Sequence, residues 1–133
     1  MKPDADQSPQ RLEEFLAAVT PAKRQRDART LINLFSDITG MEPRLWGTII
    51  GFGSYEYSTS RGPAGDLPMA AFAPRRQAST IYLGPDVLHD EAALKGLGPH
   101  TTSKGCLYIK DLTQIDLGRL RDLVERDFRS VAD

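Results

Sequence analysis

The N-terminal part of the chain has apolar residues at helical spacing. Ser8 followed by Pro9 has the form of a helix N-cap and a first helical position. Thr20 and Pro21 repeat this start signal, and Gly40 is a typical helix end. Between these signals each segment has one apolar face: Leu12, Phe15, Leu16 and Val19, then Ala28, Leu31, Ile32, Phe35 and Ile38. The pattern predicts two helices joined by a tight break.

From Leu45 to Leu83 the pattern changes to that of β-strands. β-branched and aromatic residues dominate, and turn-forming residues separate the runs. We expect Arg61 to Asp66 to be a turn-rich loop, and Trp46 to Tyr57 to form a β-hairpin. The predicted strands are Trp46 to Phe52, Ser54 to Thr59, Met69 to Ala73 and Ser79 to Leu83.

The C-terminal part returns to helices around one further strand. Val87 to Leu97 reads as a short helix and Cys106 to Ile109 as a fifth strand. Thr113 to Asp116 resembles a capping box before a last helix with an apolar stripe. Because the strands cluster and the helices lie at the ends, we expect an α+β fold. It would have an approximately five-stranded, mostly antiparallel sheet, two N-terminal helices, one inserted helix and a C-terminal helix.

Strand parity predicts a sheet with two different faces. Side chains alternate across a strand, so Ile81 and Leu83 share one face while Tyr82 takes the other. Leu107 and Ile109 are likewise separated from Cys106 and Tyr108. Tyr55 and Tyr57 share a face of the second strand, which accounts for all four tyrosines. We therefore expect an aliphatic face under the helices and a tyrosine-rich face turned away from them.

A tyrosine-rich face is suited to binding a guest molecule. Buried tyrosine hydroxyls need partners, and Arg75 and Lys104, at strand ends, would supply positive charge for an anionic group. The alternative is that the face is a structural surface or a homodimer contact. The candidate ligand-binding residues are Trp46, Tyr55, Tyr57, Arg75, Tyr82, Lys104, Cys106 and Tyr108.

Length, charge and cysteine content narrow the class of protein. With 133 residues, the chain suits a disordered lead-in over residues 1–7 and one α+β domain over 8–133. The net charge of -1 argues against a nucleic-acid partner, and no apolar run approaches the length of a membrane span. The single cysteine, Cys106, excludes an internal disulfide and favours a cytoplasmic location.

No reaction signature is present in the sequence. Cys106 lies near His100 and Lys104, so an enzyme with Cys106 as its nucleophile is one hypothesis. A buried strand cysteine is the simpler interpretation. Soft metal ligands are scarce, and we expect no cofactor and no tight metal site. The acidic residues that remain as weak ligands for a hard or ferrous ion are Asp4, Asp6, Glu13 and Glu14.

Taken together, these motifs resemble the YdhG-like family, a domain family of unknown function. The resemblance extends from about Leu12 to Val131. It implies a small α+β fold with helices on one side of the sheet, and for some members a frataxin-like role in intracellular iron delivery. It depends on Trp46, Ile50-Gly51-Phe52-Gly53, Tyr55, Tyr57, Phe72-Ala73-Pro74-Arg75, Tyr82-Leu83, Leu97-Gly98 and the run Lys104 to Ile109.

The sequence thus favours a cytoplasmic, non-enzymatic domain that binds a small molecule or a partner protein on its tyrosine-rich face. An iron carrier of the frataxin-like kind is the first alternative. An enzyme that uses Cys106 is the second.

Overall fold

The structure is a computed structural model that describes residues 8–60 and 62–132, with side chains throughout except at 57–59, 63–65 and 132. Residues 1–7, where the sequence predicts a disordered lead-in that includes Asp4 and Asp6, lie outside the described residues. The helices are α1 (Pro9–Ala17), α2 (Ala22–Thr39), α3 (Pro85–Leu88), α4 (Glu91–Leu94) and α5 (Leu117–Ala132).

The strands form two antiparallel sheets. A six-stranded sheet has the order β1-β2-β5-β6-β8-β7, and a separate two-stranded sheet pairs β3 with β4. The strands are β1 (Pro43–Trp46), β2 (Ile49–Phe52), β3 (Tyr55–Thr59), β4 (Gly62–Leu67), β5 (Ala70–Pro74), β6 (Ser79–Tyr82), β7 (Thr101–Ser103) and β8 (Cys106–Ile109). The predicted α+β class and its mostly antiparallel sheet are confirmed.

The helix ends follow the local signals in the sequence. The Ser8 hydroxyl accepts a hydrogen bond from the Arg11 N–H at the start of α1, at 3.3 Å. Gly40 ends α2 with a φ of 69°, a conformation that glycine adopts without strain. The predicted capping box is wrong in its details, because Asp116 itself accepts the Arg119 N–H before α5 and Leu112 to Gln114 form a 3₁₀ turn.

Three predictions about the strands and one about the helices are wrong. The run Trp46 to Phe52 divides into β1 and β2 at a tight turn, where Gly47 has a φ of 64°. Trp46 to Tyr57 is not one hairpin, because β2 pairs with β1 and β5 while β3 pairs with β4. Most of the predicted loop from Arg61 to Asp66 belongs to β4. The inserted helix is two short helices, α3 and α4.

The core lies between one face of the large sheet and the helices. Ile81, Leu107 and Ile109 are fully buried, and Leu83 is 5% exposed. Phe35 of α2 packs against Phe52 and Phe72 of the sheet, with ring centroids 5.4 and 5.3 Å apart. Burial of these apolar side chains is the main source of stability. The aliphatic face predicted from parity is therefore confirmed.

Candidate functional site

The other side of the large sheet, which we call the outer face, is built in rows across the strands. One row runs from Ala73 through Thr80 and Tyr108 to Thr101, and the next runs from Ala71 through Tyr82 and Cys106 to Ser103. These positions alternate with the buried Phe72, Ile81 and Leu107, so their side chains point away from the helices. Tyr82, Tyr108 and Cys106 therefore share one face.

The centre of the outer face is a floor of small side chains. Ala73 is fully buried, Thr80 is 6% exposed, and Ala78, just before β6, is 8% exposed. Small residues on a sheet face lose this much solvent contact only when larger neighbours stand over them. Tyr82, Tyr108 and Arg75 are those neighbours by register. The result is a depression rather than a flat sheet.

The depression opens into a cavity of about 630 Å³, which we call the sheet pocket. Its volume is within the range of roughly 300–1,000 Å³ that is typical of small-molecule sites. Strand residues form its base, and the loop before β7, the β5–β6 turn and the segment after β8 form its rim. The lining residues are Arg75, Gln77, Ala78, Thr80, Pro99, His100, Thr101, Tyr108, Lys110, Asp111 and Gln114.

The balance of charge in the sheet pocket is positive. Arg75 and Lys110 both line it, and no carboxylate in the described parts of the chain lies within ion-pair distance of either. The one acidic lining residue, Asp111, already binds Arg26 at 3.0 Å. Hydrogen bonds from the Thr113 side chain and N–H lower the pKa of Asp111, and Arg26 lowers it further. Asp111 is thus compensated by partners outside the pocket.

The Arg75 side chain is held in place by neutral groups. One terminal nitrogen, Nη1, donates to the Thr48 hydroxyl at 2.7 Å, and Nη2 donates to the Tyr82 hydroxyl at 3.3 Å. Thr48 belongs to the β1–β2 turn and Tyr82 to β6, so the guanidinium crosses β5 between them. Because neither partner is charged, the full positive charge of Arg75 stays available.

Two further polar groups are fixed at the pocket wall. The Tyr108 hydroxyl and the Ser103 hydroxyl lie 2.8 Å apart, which orients the phenol ring on β8. His100 Nδ1 lies 2.8 Å from the Gly98 carbonyl oxygen, so that nitrogen carries the proton in the neutral ring. Nε2 of His100 is then an acceptor.

A second cavity lies at the other end of the outer face. It has a volume of about 420 Å³, and we call it the hairpin groove because the base of the β3–β4 hairpin forms one wall. Tyr55, Leu67 and Tyr82 line it together with the end of α5. Burial raises the pKa of Asp127 at this end, and the hydrogen bond that Asp127 accepts from the Gly84 N–H opposes the rise.

The structure brings together only part of the predicted ligand set. Arg75 and Tyr108 line the sheet pocket, whereas Tyr55 and Tyr82 line the hairpin groove from different sheets. Cys106 is half-buried on the outer face and lines neither cavity. Lys104 is exposed in the β7–β8 turn and lines neither cavity. The side chain of Tyr57 is outside the described side chains.

Trp46 supports the face and does not line either cavity. Its ring lies over Gly51, where an added Cβ would be 2.7 Å from Trp46 Cζ3 and 2.5 Å from Pro68 Cβ. The side chain is 6% exposed. The glycine at position 51 therefore leaves room for the indole and for Pro68 rather than for a ligand.

Among the residues that the structure describes, neither the catalytic nor the metal hypothesis has an assembled site, and Asp4 and Asp6 of the metal hypothesis lie outside those residues. His100 comes directly before Thr101, which pairs with Tyr108, so at 3.3 Å per residue its backbone is about 10 Å from that of Cys106. Glu13 is bound to Arg29 at 2.8 Å, and Arg29 lowers the pKa of Glu13. Within residues 8–60 and 62–132, no group of three or more His, Cys, Asp or Glu side chains is placed to hold a metal.

Several pocket residues had no signal in the sequence. Ala78, Thr80 and Lys110 are ordinary residue types at ordinary positions, and only the strand register places them around one depression. The parity of β6 and β8 does place Thr80 and Lys110 on the tyrosine face. The small residues on that face are the sequence feature that marks the floor.

Comparisons of the chain with protein-family models, with curated proteins and with solved structures find no match. The resemblance to the YdhG-like family therefore stays a prediction. Across the described ranges, none of the helices has the length and apolar character needed to cross a membrane.

Proposed function

We propose that this chain is a non-enzymatic binding domain that holds a small molecule in the sheet pocket. The observation that carries the proposal is the pair of small residues, Ala78 and Thr80, that line the pocket between larger side chains. A cavity of about 630 Å³ matches a metabolite-sized guest. The tyrosine ring of position 108 and the hydroxyls nearby offer both apolar contact and hydrogen bonds.

The geometry supports binding more than catalysis. The polar groups around the pocket are positioned by neighbours, as Tyr108 is by Ser103 and Arg75 is by Thr48. Fixed side chains lose little freedom when a ligand arrives, and this favours affinity. We also propose a cytoplasmic location, since the unpaired Cys106 is suited to a reducing compartment.

A thermal-shift screen with small metabolites tests the proposal. A ligand that binds the folded state raises the melting temperature by mass action. The diagnostic variant is Thr80→Phe, which places a ring on the floor and fills the space a ligand would use. Thr102→Phe is the matched control, because Thr102 is exposed on the edge strand β7 and lies outside the pocket lining.

The expected result is a ligand that stabilises the wild-type protein and the Thr102→Phe variant but not the Thr80→Phe variant. Equal stabilisation of all three proteins would place the ligand elsewhere and contradict the proposal. If no compound acts and light scattering shows a dimer that Thr80→Phe breaks, the outer face is a subunit contact instead.

A further inference from the structure

The arrangement of cations suggests which ligands the sheet pocket selects. This step rests on the proposed function. We infer that the pocket binds a small organic anion, with a carboxylate held by Arg75 and a flat apolar body lying on the floor of small residues.

The first support is the set of unused donors on Arg75. A guanidinium has five N–H donors, and in the described structure only Nη1 and Nη2 are bonded, one hydrogen bond each, to Thr48 and Tyr82. The remaining donors belong to a side chain that lines the pocket. Arginine presents its donors as a planar fork that matches the two oxygens of a carboxylate. A fork already held on two sides is oriented before the anion binds.

The second support is a second cation on the opposite side of the floor. Ser79 pairs with both Pro74 and Ile109, so Arg75 and Lys110, the next residue on each strand, flank Ala78. Strands lie about 4.8 Å apart, so the two backbones are separated by about 10 Å across β6. Both side chains line the same cavity, and their fields add over the floor between them.

The third support is the kind of donor that the pocket offers. A phosphate is usually bound by successive backbone N–H groups or a helix N-terminus. The described lining consists of strand and turn residues instead, with Arg75 as the fork. Pro99, Ala78 and the Tyr108 ring provide apolar contact for the rest of the ligand. These features favour a carboxylate on an aromatic or alicyclic body over a phosphate ester.

Three probes with the same naphthalene ring test the inference: 2-naphthoate, its neutral analogue 2-naphthamide, and 2-naphthyl phosphate. Binding is followed by two-dimensional amide NMR up to about 5 mM, which detects dissociation constants in the millimolar range. We expect shifts at Thr80, Tyr108 and Lys110, and 2-naphthoate to bind about tenfold or more tightly than the amide.

The key variant is Arg75→Gln, and Arg76→Gln is its matched control. Arg76 is the adjacent residue, is exposed and lies outside the pocket lining, so its variant loses the same charge. Arg75→Gln should weaken 2-naphthoate by about tenfold and leave 2-naphthamide unchanged. Arg76→Gln should leave both unchanged.

Other outcomes overturn the inference in distinct ways. If 2-naphthoate and 2-naphthamide bind equally and Thr80→Phe abolishes both, the pocket binds ligands without selecting an anion, and the proposed function stands. If 2-naphthyl phosphate binds most tightly and depends on Arg75, the preferred group is phosphate. If no probe shifts the pocket resonances, anion selection is wrong, and the metabolite screen separately decides the proposed function.

Discussion

The guanidinium of Arg75 meets the hydroxyl of Tyr82 at 3.3 Å, where the sheet pocket borders the hairpin groove. Arg75 lines the first cavity and Tyr82 lines the second. This hydrogen bond thus links a residue of one cavity to a residue of the other. Because the bond lies on an exposed part of the sheet, its main effect is on the orientation of Arg75 and not on stability.

Tyr82→Phe should separate these two effects. The variant keeps the ring and removes the hydroxyl, so we expect the free energy of unfolding to change by less than about 1 kcal/mol. The affinity for 2-naphthoate should fall by a few fold, since Arg75 then keeps only Thr48. Denaturant unfolding and NMR titration measure the two quantities. An unchanged affinity would show that Tyr82 does not position Arg75.

Gly51→Ala should destabilise the fold through Trp46. The new Cβ would be 2.5 Å from Pro68 Cβ and 2.7 Å from Trp46 Cζ3, and such overpacking costs about 1–3 kcal/mol. Gly118→Ala is the control, because the nearest atom there, Asp116 Oδ1, is 3.3 Å away and the helix tolerates alanine. Urea unfolding with Trp46 fluorescence measures both. Equal stabilities for the two variants would contradict the packing described for position 51.

Asp27→Ala should be among the most destabilising changes in α2. Asp27 is 1% exposed, accepts the Leu112 N–H at 3.0 Å and binds Arg26 at 2.9 Å. Arg24, whose side chain is 2% exposed and lies 3.8 Å from Asp27, and the Leu112 N–H would stay buried without this partner, and breaking a buried charged pair in this way costs about 3–5 kcal/mol.

The matched control for Asp27 is Asp37→Ala, also in α2. Asp37 is exposed, and its ion-pair partner Arg121 is 3.9 Å away. The free energy of unfolding should therefore fall by only about 0–1 kcal/mol. Unfolding in guanidinium chloride measures the stability of both variants. A loss at position 27 as small as that at position 37 would mean that the network does not hold α2 to the segment after β8.

The pKa of Asp90 should depend on Arg126. The Arg126 side chain donates to Asp90 Oδ2 at 2.7 Å and, with the Ala93 N–H, lowers the pKa of Asp90. A carboxyl whose pKa is lowered on folding contributes stability above its unfolded pKa, and this is lost as the pH falls through the folded value.

Arg126→Gln should therefore raise the pKa of Asp90 and reduce the acid sensitivity of the fold. Carboxyl-carbon NMR titration measures the change. Asp111, whose pKa is lowered mainly by Thr113, serves as the internal reference and should titrate as before. An Asp90 titration that is the same in both proteins would exclude Arg126 as the cause.

The alternation of side chains predicts the two faces of the sheet, but it does not predict where the strands end or which strands pair. Ile81 and Leu107 are buried as expected, and Tyr82 lies opposite them. Parity depends only on the alternation of side chains within one strand, so local sequence suffices. The division of Trp46 to Phe52 depends on a turn at Gly47 inside an apolar run, and β4 is rich in glycine and proline, which local preferences assign to loops.

The residues that line the sheet pocket differ from the predicted set for a similar reason. Tyr108 and Arg75 were identified because aromatic and charged residues are conspicuous in a strand pattern. Lys104 was expected to supply charge, whereas Lys110 is the lysine that lines the sheet pocket. Which lysine borders a cavity depends on how β6, β8 and the following segment pack, and this is a property of tertiary structure that spacing does not encode.

The β3–β4 hairpin leaves the large sheet and returns to the same place. Phe52 at the end of β2 pairs with Ala70 at the start of β5, and the Met69 N–H donates to the Phe52 carbonyl at 3.1 Å. The hairpin is thus an excursion between two strands that are already neighbours, and a short turn would join them without altering the strand order. Connecting segments tolerate insertions and deletions better than the strands they join, so a change in chain length here would disturb the sheet least. Such a change would remodel the hairpin groove. The sheet pocket would keep its shape, because none of its lining residues belongs to the hairpin.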